Sequence, residues 1–184
     1  MVFGSAEGGA LRYFIIEQDK GYTDIPNPVN WFYKLGPGDA MKSIQKFPDR
    51  EIFLIHTSDS PTYIDFMTEP MIMVTEKVKK CLQLYEPNIL FKEIVLLDRE
   101  KKKSQNYFVP KFAELDCMTD RSTYTNWNYD VNYVELDEQK IGDKAIFILK
   151  GPEKRNIIVR LDVAESLLRR GTKGFILKET DVKG

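Results

Sequence analysis

Gly36-Pro37-Gly38-Asp39-Ala40-Met41-Lys42-Ser43 comes within one position of the phosphate-cradling pattern G-x-x-x-x-G-K-[ST]. It follows an apolar run at 31–35, and Ile94 to Asp98 (IVLLD) copies the strand that would end in a magnesium-binding Asp. Lys42 and Ser43 would then serve the phosphates, and Asp98 the metal. The failed position matters most to that chemistry. Met41 stands where a second glycine would let backbone N–H groups curl around phosphates, and Pro37 removes another donor. Asp98 also falls at the mouth of a hairpin rather than in a parallel β-α-β array.

A hydrolytic alternative rests on His56, the only histidine, which Thr57, Ser58, Asp59 and Ser60 follow. A general base beside hydroxyls and a carboxylate could support nucleophilic catalysis. No G-x-S-x-G elbow accompanies it, and catalytic triads are rarely assembled from adjacent residues. Asp59 and Ser60 read more simply as turn residues ahead of Pro61. The two cysteines add little: Cys81 sits on the apolar face of a helix, and Cys117 has no basic partner nearby to activate it. One histidine and two cysteines cannot supply four zinc ligands, so no metal site is expected, and the broken phosphate-cradling pattern leaves no cofactor expected either.

The segment from Phe112 to Glu138 has a different character. It holds seven acids (Glu114, Asp116, Asp120, Asp130, Glu135, Asp137, Glu138) against one base, Arg121. Phe112, Tyr124, Trp127, Tyr129 and Tyr133 are interleaved with them. From Gln139 to Gly184 the balance reverses, with eleven bases and six acids. Aromatic anchors in an acidic surround suit the binding of a basic protein surface, because Tyr and Trp dominate interface hot spots and opposite charge speeds encounter. The candidate partner-binding residues are therefore Asp120, Tyr124, Trp127, Tyr129, Asp130, Tyr133 and Glu135. The competing reading places half of the aromatics in the core and the acids on a solvated face.

The elements that must position these residues alternate between short strands and two principal helices. Strand-like runs occur at 12–17, 31–35, 51–56, 71–74, 145–150, 156–160 and 174–179. The clearest hairpin joins 92–98 to 105–109 through the charged turn 99–104. Thr75 is placed to cap a helix with Val78, Cys81, Leu82 and Tyr85 on one face, stopped by Pro87. Asp162 with Glu165 reads as a capping box, and Gly171 as the stop of that second helix. Ile52-Phe53-Leu54-Ile55 resembles Ile146-Phe147-Ile148-Leu149, and Ile72, Val74, Val78 and Leu82 match Ile157, Val159, Val163 and Leu167. The expectation is α+β, with mixed and antiparallel sheets and two related ββαβ halves at 52–98 and 145–182.

The chain of 184 residues suits a single domain over 11–184, with Met1 to Ala10 as a flexible leader. Lys and Arg total 27 against 28 acids, which gives no reason to expect nucleic-acid binding. No basic segment precedes an apolar core as in a secretory signal, and no run approaches the ~18 apolar residues of a membrane span, so a cytoplasmic location is expected.

The order of segments adds a resemblance. Ile52-Phe53-Leu54-Ile55, Tyr63-Ile64-Asp65-Phe66-Met67, Met73-Val74-Thr75-Glu76-Lys77-Val78, Tyr85-Glu86-Pro87 and Phe91 to Asp98 carry its first part. Tyr107-Phe108-Val109-Pro110, Leu115-Asp116-Cys117, Lys140-Ile141-Gly142-Asp143 and Ile158 to Arg170 carry the rest. In that order, from Tyr13 to Val182, the chain resembles the immunity proteins of bacterial polymorphic-toxin systems, the group that includes the Myxococcus immunity-like domain. The resemblance implies a non-enzymatic protein that binds and occludes a cognate toxin domain, with no catalytic residues carried over; the acids and aromatics of 112–138 would suit a basic, nuclease-like cleft on that partner. It leaves oligomeric state open. The alternatives are an enzyme using Lys42, Ser43 and Asp98 or His56, and a regulatory binding module without a toxin.

Overall fold

Runs of apolar and β-branched residues broken by Pro, Gly and charged turns dictate many short strands and few helices, and the fold follows that pattern. The computed structural model describes residues 11–29, 31, 34 and 48–184. Residues 1–10, expected as a leader, and the 36–43 pattern lie outside the described residues. Of the strand expected at 31–35, Trp31 and Lys34 are described, and both are helical instead.

The first half comprises β1 (Tyr13–Gln18), β2 (Arg50–Leu54), β3 (Phe66–Met67), β4 (Met73–Val74), α1 (Glu76–Tyr85) and β5 (Leu90–Asp98). The second begins with β6 (Lys103–Lys111), β7 (Glu114–Leu115), β8 (Thr123–Tyr124), β9 (Val131–Tyr133) and β10 (Glu135–Asp137). It continues through α2 (Glu138–Ile141), β11 (Ile146–Leu149), β12 (Ile157–Arg160), α3 (Leu161–Arg169), β13 (Phe175–Glu179) and β14 (Asp181–Lys183). The protein is α+β, with strands and helices in mixed and antiparallel sheets. Among the described residues no helix is long and apolar enough to cross a membrane.

One sheet has the order β2-β5-β6-β4-β3, and the other β13-β1-β12-β11-β7. β14 follows β13 after one residue and pairs in parallel with β10, as β5 pairs in parallel with β2. The series β2, β5, β6, β4, β3 and β10, β14/β13, β1, β12, β11 therefore match in order and direction. Local contacts match too. Tyr107 donates its hydroxyl proton to the Ile64 carbonyl (2.7 Å), and Tyr13 donates to that of Lys144 (3.2 Å). Thr75 N–H reaches the Asp65 carbonyl (3.0 Å), and Arg160 N–H that of Ala145 (2.9 Å). At the centre α1 meets α3, where Cys81 Sγ and Ser166 Oγ lie 3.4 Å apart. The matching first strands, β1 and β6, are exchanged, since each lies in the sheet of the other half.

This geometry corrects the alignment read from sequence. The counterpart of Ile146–Leu149 is Phe66–Met67, and Ile52–Leu54 takes the position held by Glu135–Asp137 in the other half. Buried strands draw on one small apolar alphabet, so Ile-Phe-Leu-Ile matched a strand with a different place in the sheet. The second helix also begins one residue before the expected cap: Arg160 is the N-cap and Asp162 lies inside the first turn. There its carboxylate takes hydrogen bonds from Arg160 Nη2 (2.8 Å) and Val163 N–H (2.9 Å). Glu165 pairs with Arg169 one turn on (2.7 Å) instead of closing a capping box. Gly171, at φ +60°, ends the helix as expected.

Burial divides into three layers. Both helices and the inner faces of both sheets share one cluster, with Phe66, Val78, Leu82, Ile146, Val163 and Leu167. The outer face of the first sheet carries Phe53, Ile64, Ile94 and Tyr107. That of the second carries Tyr13, Phe147 and Ile158, covered by Cys117, Val131, Val134, Leu136 and Ile141. The covering layer is the acidic, aromatic segment, which thereby acquires one buried face and one exposed face.

Candidate partner-binding surface

The exposed face is built on the β8–β9 hairpin. Thr123 opposes Tyr133, and Tyr124 opposes Val131. The tip between them is held from within: Thr125 N–H donates to the Asp130 carbonyl (2.8 Å), and Asp130 N–H donates to Thr125 Oγ1 (2.9 Å). It is also fastened to the 151–154 turn, where Glu153 N–H donates to the Asn128 carbonyl (3.1 Å) and Lys154 N–H to that of Tyr129 (2.7 Å). Lys154 Nζ completes the clamp on Asp130 Oδ2 (2.6 Å).

At the tip the backbone turns left-handed through Trp127 (φ +61°) and Asn128 (φ +56°). Asn tolerates that region; a tryptophan does not favour it. Trp127 is 94% exposed, and Tyr129 (57%), Tyr124 (40%) and Tyr133 (38%) stand exposed on the same hairpin. Tyr133 donates its hydroxyl proton to Asp181 (2.6 Å), which raises its pKa above that of a free tyrosine. The aromatics of the segment thus divide, with Phe112 buried and four displayed.

The acids behave differently from the expectation. Asp120 is exposed. Glu135 is buried, accepting from Thr119 Oγ1 (2.6 Å) and Arg121 Nη1 (3.1 Å), and these bonds, Thr119 foremost, hold its carboxyl below the usual range. Asp130 is half-buried. Burial pushes its carboxyl up, but Lys154, Val131 N–H and Asn156 outweigh that and hold it low. Glu114 pairs with Arg155, and Asp116 lies 3.8 Å from Lys150. Three acids of the segment thus pair with bases of the C-terminal stretch, Asp130 with Lys154, Glu114 with Arg155 and Asp116 with Lys150. Asp130 and Glu135 are both engaged by partners within the chain. Gly151-Pro152-Glu153-Lys154 reads from sequence as a turn between strands, and what that reading missed is that Gly151 and Lys154 hold the hairpin. Gly151, at φ +122°, leaves room where a Cβ would come 3.0 Å from the Tyr124 hydroxyl.

Of the residues of the enzymatic alternatives, Asp98 and His56 are described. Lys42 and Ser43 fall outside the described residues. Asp98 is buried at the β5–β6 turn, accepting from Thr57 Oγ1 (2.5 Å), Thr57 N–H (3.2 Å) and Lys101 N–H (3.0 Å). The Thr57 hydroxyl, with the backbone donors, keeps its carboxyl low. This is the chemistry of a turn acceptor. His56 is exposed, with Nδ1 3.9 Å from Glu100. Among the described residues no group of three His, Cys, Asp or Glu side chains is arranged to hold a metal ion. A cleft of about 290 Å³ opens between Ile89, Phe112 and Ile146, with Lys144 paired to Glu86 (3.0 Å) at its wall.

No protein-family model matches the chain. No curated protein matches it either.

Proposed function

We propose that this protein is a binding protein of the immunity type, which neutralises a cognate bacterial toxin domain by covering its active cleft. One observation carries the reading: four exposed aromatic side chains are gathered on a single clamped hairpin. Exposed Trp and Tyr are the side chains that contribute most when a protein surface closes over them. The segment order that resembles toxin-immunity proteins supplies the class of partner.

The internal pairing of Asp130 and Glu135 shifts the weight of recognition from charge to the aromatics. Occlusion needs no chemistry from the inhibitor, only a surface that stays rigid while it docks. The test is co-expression in a sensitive host with the C-terminal domain of the product encoded immediately upstream. Restored growth supports the reading; arrested growth with both proteins present contradicts it.

A further inference from the structure

The two halves of the fold allow a comparison that isolates one residue. After β1 the chain crosses the outer face of the first sheet, and after β6 it crosses that of the second. Both crossings carry the sequence Thr-Asp-x5-Asn-Trp-x-Tyr, at 23–33 and at 119–129. The two tryptophans are placed in opposite ways. Trp31 is half-buried and packs on the first sheet's outer cluster beside Tyr22, Ile25 and Tyr63. Trp127 leaves its sheet entirely, and Val131, Val134, Leu136 and Ile141 close that outer face without it. The core does not use this indole, yet the chain holds it out on left-handed backbone.

We infer that Trp127 is a single aromatic anchor that enters an apolar pocket on a partner protein, with the Asp130–Lys154 pair and the 151–154 turn as positioning groups. This rests on the binding reading above and specifies what the toxin domain must present. The pocket has to accept an indole, with a rim able to meet the amphipathic faces of Tyr129 and Tyr124. Holding the tip by hydrogen bonds before docking removes part of the ordering cost of association. Stacking on a single-stranded nucleic acid would call for unpaired cations tracking a backbone. Near the tip Lys154 pairs with Asp130, Arg155 with Glu114 and Lys150 with Asp116, which favours a protein partner.

The test is calorimetric titration of the upstream-encoded C-terminal domain into the full chain and into W127A, W127F and L84A, the last an exposed leucine of α1 outside the hairpin. A short oligothymidine is titrated into the full chain in parallel. Trp127 is so exposed that W127A should keep the thermal transition of the parent. The expected result is binding by the full chain, at least about thirtyfold weaker binding by W127A, and partial recovery in W127F. L84A should remain within about threefold. W127A within threefold of the parent, with the parent binding, overturns the anchor and leaves the function standing. No binding by the full chain contradicts the toxin reading and the anchor with it. Binding of the oligothymidine instead overturns the protein pocket.

Discussion

Replacing Trp127 by glycine separates a residue kept for function from one kept for the fold. Left-handed backbone costs a non-glycine residue about 1–2 kcal/mol, and glycine relieves it. Against that relief stands the entropy of an added glycine, about 0.5–1 kcal/mol. The lost burial is small: with the side chain 94% exposed, only about 15 Å² of a tryptophan is covered, or about 0.4 kcal/mol at 25 cal/mol per Å². W127G should therefore lie between about 0.4 kcal/mol of destabilisation and about 1 kcal/mol of stabilisation. For a chain of this size that is a rise in Tm of no more than about 4 °C. Scanning calorimetry of the two proteins side by side gives the answer. A tryptophan that held the core would cost about 3–5 kcal/mol on truncation and lower Tm by roughly 10 °C. A fall of that size in W127G would refute the reasoning, and with it the separation of this side chain from the packed layer beneath.

Three further outcomes follow from the geometry. Asp130→Asn should cost about 1–3 kcal/mol near neutral pH, because it leaves Lys154 half-buried without its carboxylate. The native carboxyl is held below its ordinary value of 3.8, so its contribution is complete above that pH and is lost as pH falls toward the native value; Tm measured from pH 7 to pH 2.5 should show the variant and parent converging at the acid end. Tyr107→Phe and Tyr13→Phe each orphan a carbonyl, at Ile64 and Lys144, and should cost about 1–2 kcal/mol in urea melts, with the shorter Tyr107 bond the more costly of the two. Burial pushes the Cys117 thiol up to about 11, so iodoacetamide at pH 8 should leave it unmodified by mass spectrometry until the chain is unfolded.

Much of the architecture was legible in the sequence because the signals were local. The β5–β6 hairpin, the face of α1 carrying Val78, Cys81 and Leu82, and the Gly171 stop each depend on a few neighbouring residues. What was not legible depends on partners far along the chain. Exchange of β1 and β6 between sheets leaves no mark in either strand, so the strand aligned with Ile146–Leu149 was misassigned. The charge contrast between 112–138 and the C-terminal stretch was read correctly as composition. Its meaning changed once Lys154, Arg155 and Lys150 were seen to pair with Asp130, Glu114 and Asp116. The exposure of Trp127 was hidden for another reason: left-handed backbone at Trp127 and Asn128 turns it outward at the hairpin tip, and Asn-Trp-Asn does not announce that conformation.

The most direct test of the account is amide hydrogen exchange of the full chain, alone and mixed with the upstream-encoded C-terminal domain. A bound partner seated on the aromatic hairpin should slow exchange across 123–133 and in the 151–154 turn, while α1 and α3 exchange as in the free protein. Protection confined to another face, with the hairpin unchanged, would contradict it.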